Sequence, residues 1–281
     1  MPAIDKNKIE AELNQWFTIS EGAVEIDDNG IISVTGDSSK VKVSLKKDHP
    51  QGTRIPLRFG TVSGEFNLGH SERDKDGKVT VPQRLTSVAG CPRHVGKLII
   101  DGIQGIDLGD LSGVTVTIET QITRCGLTSL AGVPPAPCID VNNNESLTSL
   151  QGLAGGTKVK WIKADSCSLA SLEGTPSTVR RIGINNSHVP IQSLRGLPHR
   201  LQILEADSNI PCCMLLETEW MNGPTPDPSP RFGKHIILQG DKQLISDIRA
   251  AFEEFYPLRH DGIPGFAFKL IKMGHRQNAH F

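Results

Sequence analysis

The chain has little of what marks a secreted, membrane-spanning or strongly charged protein. Its 281 residues carry 30 Lys and Arg against 31 Asp and Glu, so the net charge favours neither nucleic acid nor an anionic membrane. No stretch approaches the roughly 18 apolar residues that a membrane-spanning helix needs. The first residues lack the basic flank and apolar stretch of a secretory signal. We therefore expect a cytoplasmic protein with neither a membrane nor a nucleic acid as its partner.

Cysteine, histidine and aromatic residues are too few or too scattered to mark a chemical centre. The six cysteines show no C-x-x-C pair and no small secreted disulfide framework, which favours free thiols. Cys212 and Cys213 are adjacent, and adjacent side chains diverge on a strand, so a structural role is favoured over metal binding. The histidines considered lack H-x-H and H-E-x-x-H spacing: His199, His235, His260, His275 and His280. We expect no metal, no cofactor and no catalytic residue.

What the chain does contain is a phrase repeated six times, L-x-x-[LV]-x-G with one Ile in the first position. Successive copies start 19 to 23 residues apart, which lies in or at the edge of the leucine-rich-repeat range. A proline often follows the glycine, and a short V-x-x-[LI]-x-[IVA] segment comes next. The copies begin at Leu85, Leu108, Leu127, Leu147, Leu169 and Ile191.

The positions within one copy predict its structure. The last two apolar residues alternate with period two, so they point to one face of a short strand. The two leucines turn inward from the opposite wall, and glycine sharpens the return corner. In the degenerate second copy, Val116 and Ile118 are predicted to point inward. A polar residue after the strand can satisfy open backbone groups; this position holds Asn144, Cys167, Ser187 and Asn209.

A single copy cannot cover its apolar face, but stacked copies bury one continuous column. We therefore predict a leucine-rich-repeat solenoid with short parallel strands, an N-terminal helix and strand cap, and a small C-terminal α/β unit. The predicted divisions are residues 1–80 for the cap, 81–221 for the repeats, 222–232 for a Pro-rich linker and 233–281 for the C-terminal unit.

The flanking segments have their own patterns. Ile9, Leu13, Trp16 and Phe17 lie at helical spacing after Asp5, a suitable N-cap. Residues 69–78 are highly charged and are predicted to be a solvated loop. At the other end the pattern predicts a strand in 234–240, an amphipathic helix in 241–256 and a second strand in 265–273. This β-α-β unit is either a cap on the repeats or a separately mobile module.

Strand alternation also predicts an outward, concave face. Trp161 and Arg181 fall on neighbouring strands, and both residue types are enriched at binding hot spots. Trp161 could equally pack on Lys163. Asp101, Asp165 and Asp207 recur after their strands, and a solvated column is favoured over paired catalytic carboxylates. The predicted partner-binding residues are Lys97, Ile99, Asp101, Asp140, Asn142, Trp161, Lys163, Asp165, Arg181, Asn185, Ile203, Glu205 and Asp207.

Over roughly residues 5–210 the chain resembles a group of leucine-rich-repeat-like proteins encoded by bacteriophages. The resemblance is carried by "AVEIDDNGIISVTG", "IPLRFGTVSGEF" and "LTSVAGCPRHVGKLII". The repeats are also similar to those of ubiquitin-ligase effectors that enteric pathogens inject, but no cysteine follows Cys213 to serve as their nucleophile. The phage resemblance implies a protein made in the cytoplasm of an infected bacterium and implies no reaction.

These patterns favour a non-enzymatic binding protein with a host-encoded protein partner that it inhibits or redirects, as in host takeover. Two alternatives stay open: a virion or assembly component, and an enzyme whose activity lies in the C-terminal unit. An exposed edge strand could also pair with a second copy, so a homodimer stays open.

Overall fold

The computed structural model describes residues 4–50, 52–69, 72–73, 79–80, 85–111, 113–153, 156–217 and 236–280. The predicted linker at 222–232 lies outside these residues, as does His235. The chain forms two compact units. The first consists of residues 1–126 and 131–140, and the second of residues 127–130 and 141–281.

The first unit opens with helix α1 (Lys6–Trp16), which confirms the predicted N-terminal helix. The Asp5 side chain caps it by accepting a hydrogen bond from the Lys8 backbone N–H at 3.1 Å. Leu13 and Trp16 are buried on its inner side. Phe17 was predicted to be the last residue of the helical stripe, and this prediction is wrong. It is the first residue of a strand, where it packs against Phe59 and Phe66.

Ten strands of the first unit are described, and most of those in its main sheet run parallel. Their order is β1-β4-β5-β8-β9-β10, with β3 also pairing β5 and β2 pairing β3. The β1–β4 and β2–β3 pairs are antiparallel. The strands are β1 Phe17–Ser20, β2 Ala23–Ile26, β3 Ile31–Thr35, β4 Lys42–Leu45, β5 Arg58–Asn67, β6 Glu72–Arg73, β7 Val79–Thr80, β8 His94–Asp101, β9 Thr115–Thr123 and β10 Cys138–Asp140. A single 3₁₀ turn, Leu108–Leu111, is described before β9.

The predicted solvated loop at 69–78 is wrong in part, because β6 and β7 form a small antiparallel pair at its edge.

The described residues of the second unit form four parallel strands in chain order, followed by two helices. The elements are β11 Trp161–Lys163, β12 Arg181–Ile184, β13 Ile203–Asp207, β14 Ile236–Gln239, α2 Lys242–Phe255 and α3 Ile263–Lys272. Its 3₁₀ turns are Gly156–Lys158, Cys213–Glu217, Tyr256–Gly262 and Arg276–Ala279. Over the described strands, the fold is therefore an unclosed, mixed and mostly parallel sheet with C-terminal helices.

The second strand predicted for the C-terminal unit is wrong, because residues 263–272 form helix α3. Phe266, Phe268 and Leu270 alternate like a strand, but a short apolar run does not distinguish the two periods. Ile263, Phe266 and Leu270 are buried at helical spacing while Phe268 is exposed. Pro264 in the first turn suits a helix start. The predicted β-α-β unit is instead β-α-α.

The repeated phrase behaves as its spacing predicts. Both apolar positions of all six copies are buried, from Leu85 and Val88 to Ile191 and Leu194. The glycine that ends each copy of the phrase has a positive φ, a backbone conformation that favours glycine. These glycines are Gly90 (φ 97°), Gly113 (81°), Gly132 (83°), Gly152 (93°), Gly174 (89°) and Gly196 (90°).

The register predicted for the second copy is half wrong. Val116 is buried, but Ile118 is 51% exposed. The pairing of β8 with β9 shifts between Val95/Lys97, so that Lys97 faces Glu119. This bulge adds one residue to β9 and turns Ile118 away from the interior, while Val116 before it and Thr120 after it are both buried. Thr120 takes an inward position, and its hydroxyl donates to the Pro134 carbonyl at 2.8 Å.

Candidate interaction site on the strand face

The outward positions of β11, β12 and β13 form neighbouring rows in the second unit. Trp161 lies opposite Arg181, which lies opposite Ile203. The next row holds Lys163, Gly183 and Glu205. Because alternate residues of a strand share a face, these two rows stand on the same side of the sheet. We call them the strand-face site: Trp161, Lys163, Arg181, Gly183, Ile203 and Glu205. Apart from the buried Gly183, its members are half-buried.

Two cations and a carboxylate are organised around the Trp161 ring. The Arg181 guanidinium carbon lies 4.1 Å from the ring centroid, and Lys163 Nζ lies 4.4 Å from it. Arg181 also donates from Nη2 to Glu205 Oε1 at 2.7 Å. Trp161 thus stands on the outward face, as one prediction placed it, and packs with Lys163, as the alternative did. Its role in binding stays a prediction.

Several polar atoms of this region are buried without a hydrogen-bond partner among the described residues. They are Trp161 Nε1, Arg181 Nε and Asn185 Oδ1. A buried polar atom without a partner costs about 1–3 kcal/mol. Indole and guanidinium N–H groups donate and an amide oxygen accepts. Because all three atoms are buried, their unmade bonds cost stability and are not open to a molecule placed on the site.

The strand-face site has a depression at its centre, because Gly183 has no side chain. If a Cβ were added to Gly183, it would lie 3.4 Å from Asp165 Oδ1 and 3.6 Å from Glu205 Oε2. The two carboxylates thus flank a space that any other residue would fill. Sequence reasoning missed Gly183 because the inferred face was built from side chains, and glycine has none.

Polar side chains at the ends of these strands hold backbone groups in place. Asn142 Oδ1 accepts from the Asp165 N–H at 2.7 Å. Asp165 Oδ1 accepts from the backbone and side-chain nitrogens of Asn185 at 2.7 and 3.1 Å. Asp207 Oδ2 accepts from the Ser187 N–H at 3.2 Å. The predicted solvated column is therefore correct only in part for Asp165 and Asp207, which are half-buried and whose carboxylates also bond to a neighbouring repeat copy.

The predicted residues of the first unit are mostly buried. Ile99, Asp101 and Asp140 are 8%, 6% and 8% exposed, so little of each is accessible to a partner. Asp101 accepts from the Thr123 hydroxyl at 2.6 Å and forms an ion pair with Arg124. Asp101 is thus buried and bonded rather than part of a solvated column.

Lys97 is half-buried, and its Nζ lies 2.9 Å from Glu119 Oε2. Cys138 Sγ lies 3.4 Å from the other oxygen of Glu119. Sequence reasoning missed Glu119 because the bulge in β9 brings this residue, rather than Ile118, opposite Lys97. Nothing in the Thr-rich sequence around Glu119 indicates that bulge.

Of the polar residues predicted after the strands, Asn144 best fits the expected role. It is fully buried, accepts from the Leu127 N–H at 3.1 Å and donates to the Val141 carbonyl at 2.8 Å. Cys167 and Ser187 also contact backbone carbonyls. The prediction for Asn209 is wrong, since this residue is exposed.

Three of the thiols are unfavourable nucleophiles. No disulfide joins any of the six cysteines, all of which lie in the described part of the chain, and burial raises the pKa of Cys125 to about 12 and that of Cys213 to about 11. Burial also raises the pKa of Cys212. Within the described residues no group of three or more His, Cys, Asp and Glu side chains could hold a metal ion. Searched over the same residues, no helix is long and apolar enough to cross a membrane.

The C-terminal unit contains one histidine–carboxylate pair. His275 Nε2 lies 2.7 Å from Asp247 Oδ2, which joins the turn after α3 to α2. The hydrogen bond with His275 lowers the pKa of Asp247. His199, His260 and His280 are exposed.

Comparisons of the chain with protein-family models, curated proteins and solved structures find no match.

Proposed function

We propose that this chain is a non-enzymatic binding protein whose strand-face site grips a protein partner. We further propose that, within each unit, consecutive repeat copies are successive turns of a leucine-rich-repeat-like solenoid. The solenoid is supported by parallel strands in chain order, buried leucines at the repeat period and positive-φ glycines. Such repeats present a row of strands as an extended binding surface.

The observation that carries the proposal is the Trp161–Arg181 pair on the outward strand face, with Arg181 also bonded to Glu205. Both side chains are half-buried, so part of each is accessible to a partner. Arg181 is already oriented by Trp161 and Glu205, so little side-chain entropy is lost when a partner binds. Trp and Arg held in this way are the residue types that dominate protein interfaces.

The charges of the site favour a mixed-charge partner over a uniformly charged polymer. Lys163 and Arg181 stand in the same two rows as Glu205, so the site carries charges of both signs. Complementary charges of both signs give register and specificity to a protein interface. Together with the phage-like repeats, this supports a cytoplasmic protein that occludes a host or defence factor.

The test compares capture of the partner by two matched double variants. Tagged wild-type chain is used to isolate partners from infected bacteria, and the protein that it enriches is then purified for binding measurements. Trp161→Ala with Arg181→Ala should weaken binding at least tenfold, the size expected of a hot spot. His199→Ala with Arg200→Ala changes exposed residues of the same unit and should bind like the wild type. Equal binding by both double variants, each with a wild-type thermal transition, would rule out the strand-face site.

A further inference from the structure

A cavity of about 370 Å³ opens at the amino-terminal ends of four parallel strands in the first unit. Its wall includes residues at or just before the starts of β3, β5, β8 and β9. These strands pair in parallel, so their amino-terminal ends meet at one edge of the sheet. The volume lies within the range of small-molecule sites.

The charge of this cavity has one sign. Arg58 and Arg93 line it, and no carboxylate does. Both arginines are exposed, and neither guanidinium makes a hydrogen bond or an ion pair with any residue that the structure describes. Three other arginines of the described parts, Arg124, Arg181 and Arg195, are each paired with a carboxylate. Two guanidiniums on the wall of one cavity, with no carboxylate among its lining residues, are matched by an anion with several acceptor oxygens.

The rest of the wall is apolar and keeps the space open. Phe59 is buried beneath it, and Ile31 and Val114 line it at half exposure. Gly113 has nothing within 4 Å of the position that a Cβ would occupy, so the space in front of it is empty. An occupant thus meets an apolar surface and two guanidiniums at once.

We infer that this cavity binds a phosphomonoester dianion attached to a small apolar group. A dianion matches two guanidinium charges, and its three terminal oxygens can accept from both forks. The apolar group packs on Ile31 and Val114. This site is independent of the strand-face site, so either can fail without the other.

The experiment uses the full chain and measures binding of phenyl phosphate by isothermal titration calorimetry. Benzoate, a monoanion of similar shape, and phenol, which is neutral, serve as comparison ligands. We expect phenyl phosphate to bind more tightly than benzoate, and phenol to show no heat. Binding should weaken with added salt, because exposed charges are screened.

Variants assign the binding to the cavity. Arg58→Gln and Arg93→Gln should each weaken phenyl phosphate binding about tenfold or more, as expected for loss of a charged hydrogen bond. Val114→Trp fills the space without changing charge and should also abolish binding. Arg200→Gln, an exposed arginine of the second unit, should bind like the wild type. Thermal unfolding of each variant verifies folding, and Val114→Trp tests the cavity if an arginine variant does not fold.

Two sources could supply this group: a free metabolite or a phosphotyrosine side chain of a protein. A phosphotyrosine tetrapeptide that binds at least tenfold more tightly than phenyl phosphate would indicate the protein source, and equal affinities would indicate the free ligand. The inference is overturned if phenyl phosphate fails to bind at about 10 mM, well above the micromolar-to-millimolar range of small ligands. It is also overturned if the Arg58→Gln/Arg93→Gln double variant binds like Arg200→Gln.

Discussion

Four residues that follow the strands of the repeats hold a left-handed backbone without being glycine. Arg124, Asn143, Ser166 and Asn186 have φ between 54° and 59°, and Gly102 (φ 76°) occupies the same place after β8. Asparagine tolerates this conformation, whereas most other residues lose about 1–2 kcal/mol in it. The corner after each strand is therefore a point of local strain where the residue is Arg or Ser.

Ser166→Gly is expected to stabilise the chain. Glycine removes the left-handed penalty of about 1–2 kcal/mol but adds about 0.5–1 kcal/mol of unfolded-state entropy. The net gain is about 0.5 kcal/mol in the free energy of unfolding, measured by urea denaturation. Asn143→Gly is the matched control and should gain less, because asparagine already tolerates the conformation. A loss of stability in Ser166→Gly would contradict the assignment of strain to this corner.

Asn144 shows what a single buried amide contributes. Asn144→Ala leaves the Leu127 N–H in the interior without a partner and removes a donor to the Val141 carbonyl, which the Cys167 thiol also contacts. The expected loss is about 1–3 kcal/mol in the free energy of unfolding, mainly from the unsatisfied N–H. Asn209→Ala removes the same side chain from the exposed position that the pattern had equated with Asn144, and should cost less than about 0.5 kcal/mol. Similar losses for both variants would disprove the buried role of Asn144.

At the scale of the repeat element, the glycine of the phrase can have two separate functions. A positive φ turns the chain, and the missing side chain lets the preceding copy approach. At Gly196, an added Cβ would lie 2.3 Å from the Leu172 carbonyl oxygen. At Gly113, with a similar φ, it would meet nothing within 4 Å.

This pair of glycines separates the two effects by experiment. Gly113→Ala should cost about 1–2 kcal/mol, the penalty of a left-handed backbone alone. Gly196→Ala should cost more than about 3 kcal/mol, because the copies must also move apart. Denaturant unfolding gives both values. Equal costs would show that close stacking of the copies is not what the glycine serves.

A hydrogen bond between Asp247 and His275 holds the turn after α3 against helix α2. Since the pKa of Asp247 is lowered from 3.8 in the folded chain, the unfolded chain binds more protons in acid. The stabilisation is therefore present above about pH 4 and is lost as the pH falls through the lowered pKa. Asp247→Asn should show a shallower loss of thermal stability between about pH 4 and 2. Asp261 is exposed, and Asp261→Asn should keep the wild-type slope. An unchanged slope in Asp247→Asn would show that the hydrogen bond between Asp247 and His275 does not stabilise the fold.

At the scale of the whole chain, the C-terminal helices behave as a cap on the repeats of the second unit. Helix α3 contacts the turn Cys213–Glu217, which holds the buried Leu215 and Leu216. Asn278 donates to the Ser208 and Ile210 carbonyls at 2.8 and 2.7 Å, just beyond β13. Of the two roles considered for this segment, these contacts favour the cap over a separately mobile module.

Removing the cap should damage the repeats that it covers. Deletion of residues 240–281 is expected to abolish cooperative thermal unfolding of the second unit, because the last apolar layer is exposed to water. Asn278→Ala is the milder form and should cost about 2 kcal/mol by losing two bonds to buried carbonyls. Differential scanning calorimetry reads both. A truncated chain that melts like the full chain would show that the cap is dispensable.

Much of the architecture was predictable because it depends on local spacing. The repeat period correctly placed Leu147, Leu172 and Leu194 in the interior, and it predicted glycine corners. Trp161 and Arg181 were correctly placed side by side, since strand alternation and the period together determine which outward residues are neighbours. Their stacking and the bond to Glu205 depend on rotamers, which spacing does not determine.

The sequence by itself determined which residues of the repeated phrase are buried, because periods of two and of about twenty residues are local properties. Tertiary structure decided the rest. A one-residue bulge in β9 turned Ile118 outward and brought Glu119 to Lys97, and packing made a helix of residues 263–272. The Arg58–Arg93 cavity exists only because separate strands pair in parallel. Such features arise from contacts between distant segments, which no local period records.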